Sequence, residues 1–396
     1  MDAILNSVRA EALALGEQLV AWRRDFHRHP ELGFEEERTA GIVASYLRKL
    51  GLEVQERVAQ TGVVGLLEGA QPGPTVMLRF DMDALPIEEE NDVPYRSEHP
   101  GRMHACGHDG HVAIGLGTAT LLSRYRDHLR GQVKFIFQPA EEGFGGAARM
   151  VEEGVLQAPS PDLAFGLHLW SQLPVGKVAA QPGPFMAAAG FFSVDVAGQG
   201  GHGAQPHLTV DPLVTAAHIV VALQTVVSRN VNPMDTLVLT VGELHAGTAF
   251  NIIPSQASLR GTVRTFSMST MQMAHSRLRS LSEGIAQAHG ARADVRTDVI
   301  SPPVVNDERA TEIVRAAVRS VLGQEGHVTI DPIMASEDMA EFLTRVPGCF
   351  FFVGARNEAR GIVYGHHHPR FDIDEDALPI GVGVMTATAL LAGEKS

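Results

Sequence analysis

The chain has 396 residues, more than one typical core takes up, so two domains are expected, and its 44% apolar and 20% charged residues describe an ordinary globular protein. Its 32 basic against 46 acidic residues leave a formal charge of −14, which argues against nucleic acid or an anionic membrane as partner. Only Cys106 and Cys349 carry thiols, the N-terminus lacks a signal-peptide pattern, and no apolar run approaches the ~20 residues of a membrane span, so a cytoplasmic protein without disulfides is expected.

Leu15, Leu19, Trp22 and Phe26 recur at helical steps and predict a helix that stops before His29-Pro30. Ile42, Val43, Tyr46, Leu47 and Leu50 predict a second, with Gly51 as its C-terminal cap. Strands are expected at Leu52–Val58, Val63–Glu68 and Thr75–Phe80, the last two split by a turn at Gln71-Pro72-Gly73-Pro74. A helix over Gly110–Arg126, a strand over Val133–Phe137, a helix over Gly145–Glu153 and a strand over Leu163–Leu167 follow. This alternation predicts an α/β sheet covered on both faces.

The pattern changes near Phe185. Strand Phe191–Ala197, helix Pro212–Arg229, strands Thr236–His245 and Ser255–Phe266, helix Thr270–His289 and strand Ala293–Val299 give a β-α-β-β-α-β order, the ferredoxin-like split unit. Pro182-Gly183-Pro184 and Pro302-Pro303 read as linkers around it. The α/β rhythm then resumes with helix Glu308–Leu322, strand His327–Ile330, helix Ser336–Thr344, strand Cys349–Val353 and helix Asp376–Leu391. The simplest account is one α/β domain from residues 1–184 and 302–396, with a small α+β domain inserted at 185–301.

The chemistry concentrates in Met103-His104-Ala105-Cys106-Gly107-His108-Asp109-Gly110-His111. Cys106 and His108 are two apart, so in a helix they diverge, whereas a Gly-containing loop lets both aim at one point. A thiolate and an imidazole converging there suit zinc or a similar ion. Other polar clusters fall just past expected strands: Asp81 and Asp83, Glu141 and Glu142, His168, and His366-His367-His368. Ligands of open α/β sheets gather at such strand ends. Lone histidines usually sit on the surface or in a satisfied core, and there are 18. The repeated placement, rather than any one residue, carries the argument.

The sequence resembles the N-acyl-amino-acid amidohydrolases of the aminoacylase, hippurate hydrolase and auxin-conjugate hydrolase type, within the dinuclear zinc metallopeptidase clan. Matching segments are His27-Arg28-His29-Pro30-Glu31-Leu32-Gly33, Asp81-Met82-Asp83-Ala84-Leu85-Pro86, His104–Asp109, Gln138-Pro139-Ala140-Glu141-Glu142, Gly201-His202, Gly261–Arg264, Ser336-Glu337-Asp338 and His367-His368-Pro369-Arg370-Phe371. The resemblance implies a zinc-peptidase-like catalytic domain, a mixed sheet with helices on both faces, and an inserted ferredoxin-like lid that also dimerises. It implies two divalent ions, zinc first with manganese, cobalt or nickel as alternatives, held by Cys106, His108, Glu142, His168 and His367, with Cys106 bridging. Glu141 would be the general base, and Asp83 an orienting group that touches ligands rather than metal. His202 would donate to the developing oxyanion, and Asn251 or Arg264 would meet the substrate carboxylate. The implied substrate is a small N-acetyl, N-benzoyl or aryl-acyl amino acid, and the implied assembly is a homodimer or dimer of dimers through the inserted domain.

The chemistry is coherent on its own terms. Paired ions polarise the scissile carbonyl and lower the pKa of bound water from ~15.7 toward ~7. A carboxylate that is not a ligand must then take the proton and pass it to the leaving amine. Three other readings compete: a dipeptidase or conjugate hydrolase of the same clan, a Cys106 nucleophile with His108 as base, and a metal-binding protein without turnover. A Cys106–His108 dyad leaves Glu141, Glu142, His168 and His367 unexplained, and Glu141 counts against lost turnover.

Overall fold

A computed structural model describes residues 2–394. The elements run α1 (Asp2–Ala14), α2 (Gly16–Arg28), α3 (Glu37–Lys49), β1 (Glu53–Val58), β2 (Gly62–Glu68), β3 (Gln71–Asp81), α4 (His108–Arg124), β4 (Arg130–Gln138), α5 (Gly146–Glu152), β5 (Leu163–Pro174) and β6 (Val178–Ala179). They continue with β7 (Gly183–Met186), β8 (Ala188–Ala197), β9 (Gly201–His202), α6 (Pro212–Thr225), β10 (Leu237–Ala246), β11 (Ile252–Ile253), β12 (Gln256–Thr265), α7 (Met268–Ala288), β13 (Arg292–Ser301) and β14 (Val304–Asn306). The last are α8 (Glu308–Leu322), β15 (His327–Val328), α9 (Ala340–Leu343), β16 (Gly348–Arg356) and α10 (Ala377–Glu394). Two compact units result, one of residues 1–183, 305–331 and 338–396, the other of 184–304 and 332–337.

The larger unit is built on a mixed eight-stranded sheet ordered β1-β2-β4-β3-β5-β16-β6-β15. Its centre is parallel: β3 pairs with both β4 and β5, and β16 with β5. Phe165, Phe350 and Phe351 are fully buried there, and each such side chain contributes ~1.5–3 kcal/mol, enough to make these strands a rigid floor. Asp81 ends β3 opposite Gln138, the last residue of β4, so the loops after these strands start side by side. Helices α2, α4 and α10 pack together in the same core.

The smaller unit has an antiparallel sheet ordered β10-β12-β8-β13, with α6 and α7 packed on it around Phe192, Leu223, Leu259 and Leu278. Counting its strands in sequence gives spatial order 2-3-1-4, the ferredoxin-like arrangement.

Several expectations are corrected. Helix α1 was not expected. Strand β3 begins at Gln71, with its register shifting between Gln71 and Thr75, where a turn was expected. Strand β5 does not end at Leu167 but runs to Pro174, because β16 stays in register with it through Gly354 opposite Trp170. His168 therefore lies inside a strand rather than past it. The helix expected over Ser336–Thr344 shrinks to Ala340–Leu343. Among the described residues, two helices are long and apolar enough to cross a membrane by composition, Pro212–Asn230 with 19 residues and α10 with 18, where none was expected. Helix α10 is mostly buried, which requires apolar residues on every side.

Candidate metal centre

Three backbone kinks aim the cluster. Gly107 is the N-cap of α4 with φ +96°, a left-handed conformation that turns Cys106 and His108 toward one another despite their spacing. Ala140, just before the Glu141-Glu142 pair, has φ +56°, and His367 has φ +65°. Non-glycine residues hold such conformations only where their surroundings enforce them; Ala140 adjoins the polar cluster and His367 belongs to it. The Ala140 N–H donates to buried Glu36 (2.9 Å) and the His367 N–H to the Ala105 carbonyl (2.8 Å).

The ligand atoms of Cys106, His108 and His168 lie within 4.8 Å of one another, and so do those of Cys106, Glu142 and His367. Cys106 belongs to both groups. His108 Nδ1 donates to the Asp83 carbonyl and His168 Nδ1 to the Leu169 carbonyl, each at 2.8 Å, which turns the Nε2 side of each ring toward Cys106. His168 Nε2 is 3.4 Å from Cys106 Sγ, and His367 Nε2 is 3.2 Å from Glu142 Oε1. Among the described residues, buried His108 Nε2 has no hydrogen-bond partner, as expected of an atom shaped to hold a cation. The residues present therefore fit a divalent metal.

Electrostatics agrees. Burial, and then Glu142, Glu141 and Asp81, push the Cys106 thiol pKa well up. A Cys106 nucleophile would need the opposite, whereas a divalent ion would stabilise the thiolate outright. Burial alone would discharge His108, but Asp81, Asp83 and Glu142 outweigh it and raise its pKa to about 10.

Neighbours that resemble ligands are already engaged. His111 Nδ1 donates to Asp81, and its Nε2 accepts the Leu169 N–H at 2.9 Å, so neither nitrogen is available. Asp81 spends its oxygens on His111 and Arg79. Of the three consecutive histidines, His366 Nε2 accepts the Ser171 N–H and His368 stacks on Tyr364, which leaves His367 in the cluster. Asp83 Oδ2 accepts the Glu142 N–H at 2.9 Å and so holds that loop in place. Glu141 Oε1 accepts the Asp338 N–H across 3.4 Å.

The His27–Gly33 segment has a structural role that its sequence did not disclose. His27 Nδ1 and Arg23 Nε both donate to Asp109, at 2.7 and 2.8 Å, which fixes the start of α4. Glu31 accepts the Arg38 and Thr39 N–H groups at the start of α3, while its carbonyl takes the Ala84 N–H. A Cβ on Gly33 would fall 3.1–3.2 Å from Ala140, so glycine lets this segment pass beneath the Glu141 loop. Arg79 also escaped sequence reasoning, and Gln138, His111 and Asp338 were named there only within longer segments, without a role. A charged Arg79 between apolar Leu78 and Phe80 in β3 was the signal available.

In the smaller unit, β9 and β11 pair His202 with Ile252, and the Gly203 N–H donates to the Asn251 carbonyl, so His202 and Asn251 are neighbours. Arg264 lies on β12 and donates to Ser336 Oγ at 2.8 Å.

Residues 77–391 match peptidase family M20/M25/M40. The chain belongs to that family. A Bacillus subtilis protein named as an amidohydrolase, YhaA, is 43% identical over 378 residues, 95% of this chain and 93% of its own. The N-acyl-L-amino acid amidohydrolase of Geobacillus stearothermophilus is 46% identical over 289 residues, 73% of this chain and 78% of that protein. The crystal structure of Bacillus subtilis YXEP, described as a dinuclear metal-binding peptidase of the M20 family, superposes with a TM-score of 0.85 at 34% identity, covering 97% of this chain and 99% of that one. Family membership makes the chain a hydrolase of amide bonds.

Proposed function

We propose that this chain is a metal-dependent amidohydrolase that cleaves N-acyl-L-amino acids to a carboxylic acid and a free amino acid. The observation that carries this reading is the shared thiol: Cys106 belongs both to the His108–His168 group and to the Glu142–His367 group, which suits a ligand bridging two ions. Zinc suits this thiolate, imidazole and carboxylate set, with manganese, cobalt or nickel as alternatives. When bound, the ions polarise the scissile carbonyl and make bound water acidic. Glu142 faces His367 as a ligand, while Glu141, held by the Asp338 amide, takes the proton and returns it to the leaving nitrogen. His202 donates to the oxyanion, and Asn251 or Arg264 meets the substrate carboxylate.

The smaller unit is the lid and the dimer contact in this reading. Its helix α6 presents exposed Leu213, Val214 and Val221, and β10, at the edge of its sheet, presents Val238 and Leu244. A second copy would cover such an apolar face and free edge. The two free thiols suit a reducing cytoplasm.

The test is a product-release screen over N-acetyl, N-benzoyl and indole-acetyl amino acids with zinc, manganese or cobalt. Release of free amino acid from at least one class supports the assignment. Cleavage of dipeptides alone would move it to the dipeptidases.

A further inference from the structure

Arg79 is fully buried and reaches in two directions. Its Nη1 donates to Asp81 at 2.5 Å, and Asp81 in turn holds His111 beside the metal cluster. Its Nη2 donates to Asp338 at 2.9 Å, and its Nε to Gln138 Oε1 at 2.7 Å. With Oε1 occupied by Arg79, the Gln138 amide turns its Nε2 onto both Asp338 oxygens, at 2.8 and 2.9 Å. The Ala147 N–H completes the set at 3.0 Å. The Asp338 carboxylate is thus locked by donors from β3, β4 and α5, and its own backbone N–H points at Glu141 Oε1.

We propose that Asp338 is a positioning residue for the reaction. The Arg79–Gln138–Ala147 lock on its carboxylate aims its backbone amide at Glu141 and keeps that carboxylate oriented toward the scissile bond. The inference rests on Glu141 being the general base. Through Arg79, one guanidinium ties this base to Asp81 on the metal side, so both halves of the site share a single buried anchor. The carboxylate has a structural reason to be a carboxylate. Each oxygen accepts two donors, so an amide in its place turns a donor onto donors whichever way it is flipped.

The experiment is a double-mutant cycle of Asp338→Asn and Glu141→Gln on the metal-loaded enzyme, with kcat, KM, metal content and thermal midpoint read for each variant. Asp338→Asn alone is expected to keep its metal and KM and to lose ~10–100-fold in kcat, the scale of a sub-ångström to 1 Å misplacement. In the Glu141→Gln background the same change should cost under ~2-fold, because nothing remains for it to aim. Equal losses in both backgrounds, or loss of metal with the turnover, would overturn the positioning role. Wild-type turnover in Glu141→Gln itself would instead overturn the general-base reading, so the two failures are distinguishable. If Asp338→Asn does not fold, Gln138→Met removes both hydrogen bonds from Gln138 Nε2 to the Asp338 carboxylate at constant size and should show the same background dependence. Its absence there counts against the proposal equally.

Discussion

Replacing Gly107 by alanine isolates the cost of aiming Cys106 and His108. A Cβ built on Gly107 meets only ordinary contacts, 3.6 Å from Leu169 and Phe371 and 3.9 Å from His111, so no atom needs to move. The φ of +96° remains, and holding a residue with a Cβ in the left-handed region costs roughly 1–2 kcal/mol. Without metal, this segment can relax toward negative φ because Cys106 and His108 need not converge. With metal they must, so the cost should fall mainly on binding. Metal affinity is expected to drop ~5–30-fold, which is that free energy expressed as a ratio. Competition against a chromophoric chelator measures it, and urea unfolding of the metal-free protein shows how much is lost from the fold instead. Gly51→Ala is the control: its φ is +79°, no atom lies within 4 Å of its would-be Cβ, and it caps α3 away from the cluster. It should lower stability by about 1 kcal/mol and leave metal affinity unchanged. Wild-type metal affinity in Gly107→Ala would refute the idea that this backbone conformation builds the site.

Glu141→Gln should retain metal and lose ~10²–10⁴-fold in turnover, whereas Glu142→Gln should release metal on dialysis; the reverse pattern exchanges their roles. Burial raises the Glu36 pKa from 4.5 to about 7. Across that window the folded state keeps a proton that the unfolded chain has released, so stability should fall as pH rises, by on the order of 3 kcal/mol. Glu36→Gln should flatten that slope in urea titrations of metal-free protein between pH 4.5 and 7.5, and an equally steep slope in the variant would contradict the cause. His202→Ala should reduce turnover without loss of metal. Mixing it with Glu141→Gln restores activity only if His202 serves the partner's site, and mixed dimers without activity would exclude that arrangement.

Much of the cluster was legible because its surroundings are poor core formers: Cys106 is flanked by Gly107, His108 and Asp109, and Glu141 and Glu142 have no ordinary reason to follow a buried strand. The ferredoxin-like order was legible for a similar reason, since its strands alternate and its helices keep their period. His168 was misplaced at a strand end because nothing local reports that β16 keeps pairing past Leu167. Ser336–Asp338 read as helix because its composition permits one, but the contacts of Asp338 with Arg79 and Gln138 are long-range and leave no local trace. Helix α1 went unnoticed for want of a clean stripe. The support beneath the site, from Arg23 and His27 to Asp109 and from Glu36 to Ala140, consists of pairings 82 to 104 residues apart, which no periodicity encodes.

Metal dependence bears most directly on the central claim. The chain is stripped exhaustively with a chelator, its metal content is verified, and release of free amino acid from an N-acyl amino acid is measured before and after zinc, manganese or cobalt is returned. Hydrolysis should vanish with the metal and recover as two ions per chain rebind. Full turnover in verified metal-free protein would contradict the assignment of Cys106, His108, Glu142, His168 and His367 as the centre of catalysis.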